Sequence, residues 1–107
     1  MDVERPVDPV LTRFRASLVG AYGNRLARAV LFGSRSRGDF RPDSDYDIAV
    51  FIRDPEPWFD EVVRLANLGT DILMDTGAVI SAKPFPADVY NESSFFLDVI
   101  RDEGREL

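Results

Sequence analysis

The chain has 107 residues, 45% of them hydrophobic and 30% charged, with 13 basic against 19 acidic side chains and a net charge of −6. That length and apolar fraction suit one modest core, so a single domain over residues 1–107 is expected, with no separate module for substrate recognition. Cys and His are both missing, which excludes a thiol nucleophile, a disulfide framework, a histidine base and a zinc site of the usual ligands.

Carboxylates, hydroxyls and cations are what remain for chemistry. No apolar run approaches the roughly 20 residues that span a bilayer, and the start Met-Asp-Val-Glu-Arg-Pro lacks the features of a secretory signal, so no membrane partner and a cytoplasmic location are expected. The charge is unevenly spread: residues 1–42 hold eight Arg and four acids, residues 43–107 five bases and fifteen acids. An acidic second half argues against nonspecific nucleic-acid binding, which needs a basic stripe of phosphate contacts.

Along the chain, Asp8-Pro9 reads as an N-cap followed by proline at the first helical position. The apolar stripe Val10, Leu11, Phe14, Leu18 and Tyr22 then predicts a core-covering helix to about Gly23. Arg28 to Phe32 is a short apolar run ending at Gly33, the pattern of a buried strand. Gly33 lets the backbone turn sharply and approach a ligand, and Ser34 adds a hydroxyl where a short helix would expose unpaired N–H groups, an arrangement suited to an anion. Arg35 and Arg37 are guanidinium donors beside that turn, suited to phosphate or equally to a solvated helix face, and Gly38 ends the turn. Ser36 and Asp39 read as local capping and turn residues, and Asp43 and Ser44 as organisers of the following loop.

A second strand, Asp45 to Ile52, has a side-chain period of two that sets Asp45, Asp47, Ala49 and Phe51 on one face and Tyr46, Ile48, Val50 and Ile52 on the other. Two ionised carboxylates so close repel, and a hard divalent cation between them relieves the repulsion. Mg²⁺ bound in this way completes its shell with waters and substrate phosphates, so a neighbouring phosphate cradle is its natural partner. A Gly-Ser turn alone is an ordinary turn, and Asp-x-Asp alone an ordinary strand start; their combination on one strand-turn-strand unit points to a metal–nucleotide site.

Gly33-Ser34, ten residues, then Asp45-x-Asp47, within GSRSRGDFRPDSDYDIAV, resembles the signature of the DNA polymerase β-type nucleotidyltransferase superfamily, and in particular its minimal nucleotidyltransferase (MNT) proteins. The motif covers residues 28–52. The resemblance implies binding of an NTP, with ATP the expected donor, and Mg²⁺, and transfer of a nucleotidyl group to a hydroxyl. It also implies triphosphate contacts from Ser34 and the Gly33 backbone, metal ligation by Asp45 and Asp47, and charge neutralisation by Arg35 or Arg37. The family's active set includes a third carboxylate on the next strand; the strand assigned here, 77–83, has no acid, and Ser81 or Lys83 lies in that neighbourhood. MNT proteins are often antitoxins of HEPN-domain toxins, so the resemblance also implies an alternative: a weakly active or inactive protein that neutralises a HEPN-type partner by binding.

After the Pro-rich break at 54–57, Trp58, Val62, Leu65, Leu68 and Ile72 predict a helix to about Asp75 stopped by Gly77, with Gly69 as a candidate bend and Trp58 assigned to the core rather than to base stacking. The strand at 78–83 is expected to end at Lys83-Pro84-Phe85-Pro86. A last helix, about Ser93 to Glu103, presents Phe95, Phe96, Val99 and Ile100 on one side, as core or as a partner contact, and Gly104 caps it. The expected fold is α/β: a small mixed sheet with strands 28–32, 46–52 and 78–83 at its centre, helices on one face, the nucleotide on the other, and the strand at 78–83 antiparallel to a neighbour.

Overall fold

The structure is a computed structural model and describes residues 8–107; the opening Met-Asp-Val-Glu-Arg-Pro lies outside the described residues. Helix α1 spans Pro9–Tyr22, and the Asp8 carboxylate accepts from the Val10 N–H at 2.9 Å, as an N-cap should. Strand β1 (Leu26–Phe32) follows a short 3-10 turn and leads into the single-turn helix α2 (Ser34–Arg37), closed by Gly38 in the left-handed region at φ 89°. Then come β2 (Tyr46–Ile52), α3 (Trp58–Thr76), β3 (Ile80–Pro86), α4 (Phe95–Glu103) and the two-residue strand β4 (Arg105–Glu106). Among the described residues no helix is long and apolar enough to cross a membrane.

The four strands form one mixed sheet in the order β3-β2-β1-β4. β1 runs antiparallel to β2 and to β4, whereas β3 is parallel to β2. The expectation that the strand at 78–83 would be antiparallel and central is therefore corrected: it starts at Ile80, reaches Pro86 and is an edge strand. Its outer side has no ladder to donate to, which is why Pro84 and Pro86 continue the strand instead of ending it. A nineteen-residue helix (α3) supplies the crossover that a parallel pair requires. Gly69, a candidate bend, lies against β3, and a Cβ there would sit at ordinary contact distance, 3.5 Å from the Ile80 carbonyl oxygen, so the packing does not itself require glycine.

The alternation read for β2 divides the core. Tyr46, Ile48, Val50 and Ile52 pack with Phe14, Leu18 and Tyr22 of α1 and Leu65 and Ile72 of α3. Ala49 and Phe51 face the other way and pack with Val30, Phe32, Leu97 and Ile100. α1 and α3 thus cover one face, and α4 sits over part of the other through Leu97 and Ile100, which resolves its apolar side largely into core. Phe95 is 86% exposed. Trp58, assigned to the core, is 68% exposed: it begins α3 and has no preceding turn to carry it over the sheet. β4 escaped sequence reading because two residues show no period; it is anchored by Leu107 N–H donating to Ala29 O at 3.0 Å.

Glu61 is 1% exposed and ties α3 to the end of α1. Its carboxylate accepts from Tyr22 OH at 3.0 Å, Arg25 Nη2 at 3.1 Å and the Glu56 N–H at 3.0 Å. Burial and the adjacent Glu61 carboxylate push the Tyr22 hydroxyl pKa well above its ordinary value. Removing Glu61 would strand three donors, although Arg25 keeps the Arg53 and Asp54 carbonyls and some solvent. Glu61→Ala should cost about 2 kcal/mol, a fall of roughly 10 °C in melting temperature measurable by calorimetry; a shift below about 2 °C would show that the network contributes little.

Candidate active site

The site forms where β1 ends and β2 begins. Antiparallel register sets Phe32 opposite Asp47, so the residue after Phe32, Gly33, turns directly beside the Asp47 carboxylate. A Cβ built on Gly33 would stand 2.6 Å from Asp47 Oδ2, and Gly33 has φ 76°. The turn thus depends on glycine twice, for its backbone angle and for the space it leaves the carboxylate. Asp45 precedes β2 and is exposed, while Asp47 is half-buried on the face opposite α1 and α3. Burial raises the Asp47 pKa first; the Asp45 charge raises it further, while Lys83 and Arg37 pull it down. Burial and a like charge both disfavour the charged form of Asp47, an imbalance that a divalent cation beside Asp45 and Asp47 would relieve.

The two arginines part company. Arg37 is on the rim: its guanidinium lies 3.4 Å from Asp39 and 3.2 Å from Glu103, and its charge reaches Asp47. Arg35, proposed from sequence as a phosphate donor, is instead buried. Its Nε donates to Ser44 O at 2.9 Å and Nη2 to Pro42 O at 3.1 Å, and the guanidinium stacks 3.9 Å from the Tyr46 ring centre. It organises the loop that delivers Asp45. Tyr46 in turn donates to Asp8 Oδ2 at 2.6 Å, and burial followed by that bond pushes its hydroxyl up to about 12. Ser44 supports the same loop by accepting from Arg41 N–H at 2.9 Å.

Glu103 was not singled out in the sequence. Its Oε1 accepts from the Gly33 N–H at 3.3 Å, and Ser36 Oγ donates to its carbonyl oxygen. The Gly33 amide, assigned to the triphosphate, is therefore engaged by α4. Nothing in the helical periodicity marks Glu103, because its role arises from a partner seventy residues away. Gly104 allows this docking: a Cβ there would meet Ile100 O at 2.2 Å and Val30 Cγ1 at 2.4 Å.

Residues 21–91 match the family model described as Polymerase beta, Nucleotidyltransferase. The chain belongs to that family. A curated relative, "Putative protein adenylyltransferase MJ0604" of Methanocaldococcus jannaschii, is 33% identical over 103 residues, covering 94% of this chain and 96% of the relative. Two crystal structures share the fold at low identity. One, of a toxin-antitoxin with AMP-PNP, has a TM-score of 0.61 at 20% identity over 87% of this chain and 68% of the other. The second, of "a putative nucleotidyltransferase from Sulfolobus solfataricus", has a TM-score of 0.64 at 14% identity over 91% of this chain and 75% of the other.

Two outcomes follow from the geometry. Gly33→Ala should destabilise the fold by about 1–2 kcal/mol for the left-handed backbone and displace Asp47; a melting temperature and divalent-ion affinity both equal to those of the unaltered chain would refute the close packing. The second concerns pH. Asp47 has a raised pKa in the fold, so the folded chain binds more protons than the unfolded one and its contribution to stability falls as pH rises from about 4 through that raised value. Asp47→Asn should remove this fall, leaving a melting temperature without divalent ions at pH 7 at least equal to that of the unaltered chain; a clear loss of stability would contradict it.

Proposed function

We propose that this chain is a Mg²⁺-dependent nucleotidyltransferase that moves NMP from an NTP, with ATP as donor, to a hydroxyl on a partner protein. The observation that supports the reading is the packing of the Gly33 turn against Asp47, which sets the turn that would cradle a phosphate beside the carboxylates that would hold the metal. Family membership and a relative named as a protein adenylyltransferase support transfer.

In this reading Asp45 and Asp47 hold the metal. Mg²⁺ would offset phosphate charge and help orient the triphosphate. The Ser34 hydroxyl and the leading amides of α2 receive the β- and γ-phosphates, Arg37 on the rim offsets the charge of the leaving pyrophosphate, and Arg35 keeps the Asp45 loop in place. The acceptor oxygen bonds to the α-phosphorus in line as the bond from that phosphorus to the pyrophosphate oxygen breaks, and the acceptor proton passes to water. Positioning and electrostatics supply most of the rate in such a displacement.

A second reading is favoured by one specific observation: β3 carries no acid where the family's third carboxylate is expected. In it the chain is an MNT-type antitoxin that neutralises a HEPN-type toxin by binding alone, and the fold shared with toxin-antitoxin structures supports that possibility as well.

Transfer of label from α-³²P-ATP into proteins of a lysate from the source organism separates the two. The first reading expects a labelled band that needs Mg²⁺ and falls by roughly three orders of magnitude in Asp45→Asn and Asp47→Asn. Neutralisation of the partner that survives both substitutions, with no label in any protein, would favour binding alone.

A further inference from the structure

On the site face β3 sets Ser81, Lys83 and Phe85 beside Asp47, Ala49 and Phe51 of β2. Lys83 Nζ lies 5.9 Å from the centre of the Phe32 ring and 6.0 Å from that of Phe96. Those two rings meet edge to face at 5.4 Å, and Phe32 is the register partner of Asp47. The ammonium therefore stands beside an aromatic pair on the same face of the sheet as Asp47. Turn and lysine approach from different strands: Gly33 and Ser34 follow β1, while Lys83 rises from β3, with β2 and its Asp47 between them.

We propose that Lys83 replaces the second metal ion of this site, so that the chain works with a single divalent cation held by Asp45 and Asp47 while the ammonium supplies the other positive charge on the acceptor's side. The inference rests on the nucleotidyl-transfer reading and names how that site dispenses with a third carboxylate. Charge balance supports it. Three carboxylates with two divalent ions leave one net positive charge facing the phosphates, and so do two carboxylates with one divalent ion and one ammonium. A second divalent ion would find no acid on β3 to hold it and a cation to repel it. Direction agrees too: in-line displacement brings the acceptor in opposite the leaving pyrophosphate, and with the pyrophosphate held by the turn after β1, that approach is from the β3 side. The acceptor proton goes to water, so the step asks for no proton transfer to or from Lys83.

The first measurement is the number of Mn²⁺ ions bound per chain in the presence of a non-hydrolysable ATP analogue, by titration followed by electron paramagnetic resonance. One ion is expected for the unaltered chain and for Lys83→Met, and two for Lys83→Asp and Lys83→Glu, the pair guarding against a misfolded variant. Two ions in the unaltered chain, or one in both acidic variants, would overturn the proposal. Label transfer is the second readout: Lys83→Met should lower kcat roughly a hundredfold with KM for the nucleotide within about threefold, and Lys83→Arg should recover part of the loss. Unchanged kcat in Lys83→Met would also overturn it. The expected ion counts in a chain that transfers no label would refute the transfer reading and leave the charge replacement standing.

Discussion

The antiparallel register that sets Phe32 opposite Asp47 is the constraint on which the rest of the molecule depends. It brings the Gly33 turn so close to the Asp47 carboxylate that a Cβ on residue 33 would stand 2.6 Å from Oδ2 and displace it. Everything else either holds that register or responds to it. Tyr46, Ile48, Val50 and Ile52 anchor one face of β2 beneath α1 and α3, so the alternate residues, Asp47 among them, must face the other way. A slip of one residue would bury the carboxylate and expose the core, which makes the register strongly specified.

Around that contact the charged side chains divide between support and solvent-facing roles. Arg35 and Tyr46 are buried and hold the loop before β2 through carbonyl oxygens and the Asp8 carboxylate. Arg37, Glu103 and Lys83 reach the site from three different elements, α2, α4 and β3. Glu103 is tied to both the turn and Arg37, so the last helix braces the cradle as well as covering Val30 and Phe32. The Asp47 carboxylate is destabilised by burial and by Asp45 while two cations pull it the other way, a state that favours whichever cation can enter.

The topology also explains where the site can grow. β3 is an edge strand carrying Pro84 and Pro86, so its outer side is not a template for further pairing. Phe95 is exposed at the start of α4, Trp58 and Phe59 at the start of α3.

Much was legible in the sequence because it is local. The α1 cap at Asp8-Pro9, the glycines at 33, 38 and 77, the period-two pattern of β2 and the spacing from Gly33 to Asp47 all rest on the conformations of a few neighbouring residues or on one face of one element. They sufficed for the two central strands, the major helices and the approach of the Gly33 turn to Asp47. Tertiary structure decided what depends on distant partners. It set β3 parallel and at the edge, where two prolines can extend a strand; it left Trp58 exposed at the very start of its helix; it turned Arg35 inward to carbonyls of its own loop. It also brought Glu103 to the Gly33 amide, and no pattern within a single element could have placed it there, because that contact is defined by a residue on another part of the chain.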